Sequence, residues 1–206
     1  MDENNKDKIG FFKKLVIFWR ENSGTVVKIF IHQIGLTVFG FLLYSAATAS
    51  KSTGVTVGIG IFSALFYLVL LYVMCWDNGA KDKIRIDSGR MKRDCFKGAK
   101  AALFASIPNL LLALLSLIGY LCINKSVLDA AGAYVSPKWA IILHSLSQII
   151  GIFLNSMYTG IAEPIGLATK PFYLFIVCIP AILVCGLGYF FGTKEKLGVF
   201  TSAPKH

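Results

Sequence analysis

Apolar residues along this chain come in five long blocks rather than in alternating or scattered positions. The blocks cover residues 25–48, 55–76, 101–123, 139–158 and 172–191. A helix of about 20 residues, rising about 1.5 Å per residue, crosses the roughly 30 Å hydrocarbon core of a bilayer. None of the blocks shows the two-residue alternation of a membrane β-strand, and all are too long for one. The pattern predicts an all-α integral membrane protein with about five transmembrane helices, forming one domain over residues 25–192.

Ahead of the first block, "MDENNKDK" is polar and reads as a disordered tail. In the following "IGFFKKLVIFWRE", Phe11, Phe12, Leu15, Val16, Phe18 and Trp19 share one arc of a helical wheel. Lys13, Lys14, Arg20 and Glu21 lie opposite, and Ile17 breaks the pattern. This predicts a short amphipathic helix in the membrane interface. "ENSG" would end it before the first span, so residues 1–24 form a separate unit. No small-residue cleavage site follows the short apolar stretch, so the first span is read as an anchor. Residues 193–206 are read as a C-terminal tail.

Composition narrows the class. Hydrophobic residues make up 55% of the chain and charged residues 16%, too apolar for the surface of an ordinary soluble domain. The net charge of +10 would suggest nucleic acid in a soluble protein. Here the charge gathers beside the spans, and no nucleic-acid partner is expected. Eight basic residues lie between Lys81 and Lys100, and six more run up to Lys28. All four arginines (Arg20, Arg85, Arg90, Arg93) fall in these two segments. The positive-inside rule places the N-terminus and the connection 77–100 in the cytoplasm, at a bacterial-type plasma membrane. Five spans would then leave the tail outside, although Lys194, Lys196 and Lys205 make it mildly basic. Either that weak signal is overridden, or the fourth and most polar block is not a simple span.

Within the connection, "KIRID" (Lys83 to Asp87) alternates apolar and charged residues and predicts an extended stretch. "DSG" predicts a turn, with Asp87 or Ser88 capping a helix from Arg90. On that helix Arg90, Arg93, Asp94, Lys97 and Lys100 share one face, and Met91, Cys95, Phe96 and Ala99 another. Arg85, Arg90, Arg93, Lys97 and Lys100 form the candidate lipid or partner face. Such a face attracts anionic headgroups at about 1 kcal/mol per basic residue. A membrane-protein partner or a second copy of the chain is the other candidate occupant.

Polar residues inside spans are costly and call for a reason. In the fourth block His144, Ser147, Gln148, Gly151, Asn155 and Thr159 fall within about a third of the wheel. In the first, Gln33, Thr37, Gly40 and Tyr44 form a second stripe beside His32. One reading is helix packing through interhelical hydrogen bonds and the small pair Ser147 and Gly151. The other is a polar pathway lined by His144, Ser147, Gln148, Asn155, Thr159 and Gln33, with His144 titratable. No span carries a central carboxylate, which counts against a proton-coupled pump. Pro108 and Pro180 predict kinks.

The five cysteines (Cys75, Cys95, Cys122, Cys178, Cys185) show neither zinc nor disulfide spacing. No metal or cofactor is expected. Zincin, nucleophile-elbow and P-loop motifs do not occur. The carboxylate pattern of CDP-alcohol phosphotransferases is not met either: the connection lacks a D-G and an A-R pair, and Gly98 stands where a final Asp belongs. The leading expectation is a non-enzymatic accessory or interaction protein working through lipid or partner contacts. A small oligomeric transporter or channel using the polar stripe comes second, and a membrane enzyme third.

Overall fold

The computed structural model describes residues 10–124, 127–128 and 134–194. The polar tail 1–8 and most of the C-terminal tail lie outside the described residues. Among the described residues the regular structure is helical, apart from a two-residue antiparallel pairing of β1 (Val127–Leu128) with β2 (Tyr134–Val135). Three stretches are long and apolar enough to cross a membrane: α1 (Phe11–Ala49) from Leu15 on, α2 (Thr53–Asp87), and Tyr173–Gly192, which comprises α7 (Tyr173–Ile176) and α8 (Cys178–Gly192). Two bent pairs raise the number to as many as five. They are α3 (Lys97–Ala105) with α4 (Ile107–Asn124), bent by 52°, and α5 (Lys138–Leu154) with α6 (Ser156–Ala162), bent by 102°.

Exposure follows the polarity of a lipid solvent. Ile142, Ile149 and Leu183 are each more than 60% exposed, whereas Thr37, Asn109, Ser116 and Asn155 are buried. A water-soluble bundle shows the opposite arrangement. The interior is filled by Leu71, Met157, Tyr173 and Leu174 together with small residues such as Ala64 and Ala101.

Three local expectations are corrected. No separate interfacial helix precedes the first span, because α1 runs unbroken through Ser23 and Gly24. A glycine in a helix interior costs only about 1 kcal/mol. Around it, Val26 and Ile29 are buried in the core, and Phe18 stacks on Phe104 of α3 with centroids 5.4 Å apart. Asn22, expected to help break the helix, donates from its side chain to the Phe18 carbonyl of the same helix. The "KIRID" stretch is helical, not extended, since α2 continues to Asp87. It is supported by the i,i+4 pairs Lys81–Asp77 and Lys83–Asp87. The next helix starts at Lys97 rather than Arg90. Gly89, at φ +72°, closes α2 with a Schellman turn, in which Arg90 N–H donates to Arg85 O and Gly89 N–H to Ile86 O. Asp94, not Asp87 or Ser88, holds the start of α3, its Oδ1 accepting from Phe96 N–H at 3.0 Å.

Pro108 sits in the first turn of α4 and Pro180 in that of α8, each just after a break, where a missing N–H costs least. The break at Asn155 has a different support. Leu154 O, left free by the turn, accepts from Thr37 Oγ1 at 2.8 Å, and Ser156 Oγ donates to Thr37 O at 2.6 Å. Beyond the break, α6 runs alongside α1 and in the same direction. Gly40 faces Met157, and Tyr44 donates to Glu163 near the end of α1. The last helix returns to the opposite end, where Tyr189 meets Asp82 near the end of α2. The described end of α8 therefore lies at the same end of the bundle as the basic connection.

Candidate functional site

Within the polar stripe, His144 and Gln148 bond to other segments, while Ser147 and Asn155 bond mainly back to their own helix. Ser116 Oγ, on α4, donates to Gln148 Oε1 at 2.8 Å, and Gln148 Nε2 donates to Ala168 O at 2.7 Å. His144 Nδ1 lies 2.9 Å from the Ser116 carbonyl, which can only accept, so Nδ1 carries the proton. Ser147 bonds back to Leu143 O of its own helix, and Asn155 Nδ2 reaches Gly151 O at 2.8 Å. Thr159 lies past the 102° bend and no longer shares a helix face with His144. Gln33 is buried on α1, one turn before Thr37, whose hydroxyl also contacts its carbonyl.

The other concentration of polar chemistry is at the basic end. Asp82, 6% exposed, is the hub. Its Oδ2 accepts from Lys97 Nζ at 2.6 Å and from Tyr189 OH at 3.0 Å, and its Oδ1 lies 3.5 Å from Arg85 Nη1. One carboxylate thus joins α2, α3 and α8. Beneath it is a void of about 10 Å³ lined by Asn22, Asn78 and Tyr189 among others, room for about one water molecule.

Above this hub a cleft of about 340 Å³ opens outward. Phe18, Glu21 and Asn22 of α1, Arg85 of α2 and Lys97 of α3 line it. Met91, Lys92 and Asp94 of the connection close it. It exists because α1 and α2 both run past their apolar blocks. At 39 and 35 residues they are about 58 and 52 Å long, well beyond a hydrocarbon core of roughly 30 Å.

The candidate basic face is thereby divided. Arg85 and Lys97 come together in the cleft, Lys97 facing inward at 18% exposure. Lys100 pairs with Asp94 at 2.7 Å. Arg90 and Arg93 are exposed on the non-helical connection and have no carboxylate partner among the described residues. Asp82, Glu21, Lys92 and Tyr189 belong to the cluster and were not singled out by the sequence. For Asp82 a signal existed: it continues the spacing of Leu71, Cys75 and Gly79 along the buried face of α2. Among the described residues no group of three or more His, Cys, Asp or Glu could hold a metal ion. No protein-family model, curated protein or solved structure matches this chain.

Proposed function

We propose that this is a multi-pass membrane protein that acts without catalysis of its own, by binding phospholipid headgroups at its basic end. The cleft between α1, α2 and the connection 77–100 carries that reading. It combines charged side chains with the apolar walls of Phe18 and Met91, and it lies where two long helices leave their apolar stretches. Outside the cleft, exposed Arg90 and Arg93 add a general attraction to an anionic leaflet.

In this reading the chain crosses the membrane four times, by α1, α2, α3–α4 and α7–α8, and α5–α6 enters and leaves on one side. The re-entrant pair removes the charge conflict, because the described end of α8 then shares the cytoplasmic side with the connection. Single cysteines at Ser88 and Lys194, in a background lacking Cys95 and Cys122, should resist impermeant labelling in intact cells. A cysteine at Ile165 should react readily. Labelling of Lys194→Cys together with protection of Ile165→Cys would show five crossings instead.

Lipid retention tests the binding itself. After exchange into a mild detergent, native mass spectrometry should show about one phospholipid per protein. Arg85→Gln combined with Lys92→Gln should lower the retained fraction about tenfold, because charge-assisted contacts to phosphate are lost. Arg90→Gln with Arg93→Gln should leave it within about twofold, since exposed charges are screened. Equal retention in both double variants would remove the cleft from consideration.

A second reading keeps one observation in its favour. Ser63 Oγ and Tyr158 OH are buried without a hydrogen-bond partner among the described residues, as groups along a polar pathway would be. A cysteine at Ser63 open to small water-soluble thiol reagents would bring the transporter reading forward.

A further inference from the structure

We infer that a groove between α8 and the start of α3 holds one acyl chain of a phospholipid, with the lipid phosphate at Lys194. This site shares no lining residue with the headgroup cleft and goes beyond the function proposed for it. The groove measures about 280 Å³ and is lined by Leu183, Leu187 and Phe190 of α8 and by Cys95 and Phe96 ahead of α3, among others. No charged side chain lines it. From Leu183 to Phe190 it follows α8 for about 10 Å, toward the end where the helix stops. Gly186 and Ala99 also belong to the lining, and a Cβ at Gly186 would lie 3.2 Å from Ala99 Cβ. A helix about 10 Å across does not enter between elements this close, whereas a single hydrocarbon chain does.

Two observations specify the occupant. Phe96 is 72% exposed, although it directly precedes Lys97 at the polar end of the bundle. A hydrocarbon chain in the groove takes its ring out of water. At the same end, Lys194 Nζ lies 4.1 Å from the centroid of the Phe190 ring. The ring attracts the ammonium without neutralising its charge. Lys194 is exposed and has no carboxylate partner among the described residues. An apolar slot that ends at a cation is complementary to a phospholipid, which carries its phosphate where its chains begin. A hydrocarbon chain with no anion at its end would leave Lys194 unmatched.

Detergent tails fill such a slot as readily as lipid chains, so the test is made in a bilayer. The full chain is placed in phosphatidylcholine nanodiscs containing a small fraction of phosphatidylglycerol with a diazirine in its acyl chain. After illumination, adducts are mapped by peptide mass spectrometry. The reference positions are Val27 and Ile31, exposed on α1 at a similar depth, since Thr25 and Tyr189 line one void. Adducts at Phe96 and Leu183 should exceed those at the reference positions about tenfold. Lys194→Gln, an exposed change, should lower the groove adducts about fivefold. Leu187→Trp, which fills the groove from an exposed position, should lower them about tenfold. Arg85→Gln with Lys92→Gln should leave them within about twofold, because the two sites share no lining residue; the headgroup cleft can thus fail while this site stands. Equal labelling of the groove and of α1 would mean ordinary boundary lipid, and weaker labelling of the groove would mean that protein covers it. Either result overturns the inference, as do groove adducts indifferent to Lys194→Gln. Suppression of the adducts by equimolar oleic acid would assign the groove to a free fatty acid and would overturn it as well.

Discussion

Replacing Lys97 with methionine destabilises the protein by about 3–5 kcal/mol, the usual cost of stranding one member of a buried ion pair. Asp82 is the reason. It is 6% exposed, and its Oδ2 takes the Lys97 ammonium at 2.6 Å. Arg85 reaches Oδ1 only at 3.5 Å, with a side chain 66% exposed, so it cannot replace an enclosed partner. The loss should appear as a lower unfolding midpoint in detergent. Asp82→Leu combined with Lys97→Met should recover most of it, because removing both charges removes the desolvation problem as well. A single Lys97→Met variant as stable as the parent would mean that Asp82 is reached by water.

The second large effect is expected at Gly60. A Cβ there would lie 2.7 Å from the Gly160 carbonyl carbon and 2.8 Å from Ile161 N. The obstacle is backbone, which cannot swing aside as a side chain can. Gly60→Val should therefore cost about 1–3 kcal/mol or more through overpacking. It should also loosen α6, which the Thr37 contacts hold against α1 and the Gly60–Gly160 contact holds against α2. Gly58→Val is the matched control, since nothing lies within 4 Å of a Cβ at that position. Its effect should stay within about 0.5 kcal/mol. Similar thermal shifts for the two variants would mean that α6 does not pack on α2 as described.

Long apolar blocks made the helical, membrane-compatible architecture legible from the sequence, because hydrocarbon thickness sets a length that soluble cores do not impose. Breaks were harder to read. Gly24 lies in a helix held by packing on both sides, whereas Asn155 turns the chain by 102° with neither proline nor glycine at the turn. The turn is stabilised by Thr37, more than 100 positions away in sequence, and no local pattern reports such a partner. In "KIRID", alternation imitated a strand while Lys83 and Asp87, spaced i,i+4, favoured a helix. The stripe through His144 and Gln148 was visible by periodicity, but its partners Ser116 and Ala168 emerge only from the pairing of α4 with α5 and the chain that follows. The cleft was the least legible feature. Glu21, Arg85 and Lys92 come from three segments, and their meeting depends on α1 remaining helical through its N-terminal third.

The most direct measurement is photocross-linking from inside the cleft in native membranes. A diazirine-bearing residue in place of Met91 should yield an adduct whose mass is that of a phospholipid. Arg85→Gln in the same background should reduce that adduct about tenfold, following the loss of the charge-assisted contact. Adducts only with another polypeptide, or a phospholipid adduct indifferent to Arg85→Gln, would contradict a headgroup site in this cleft.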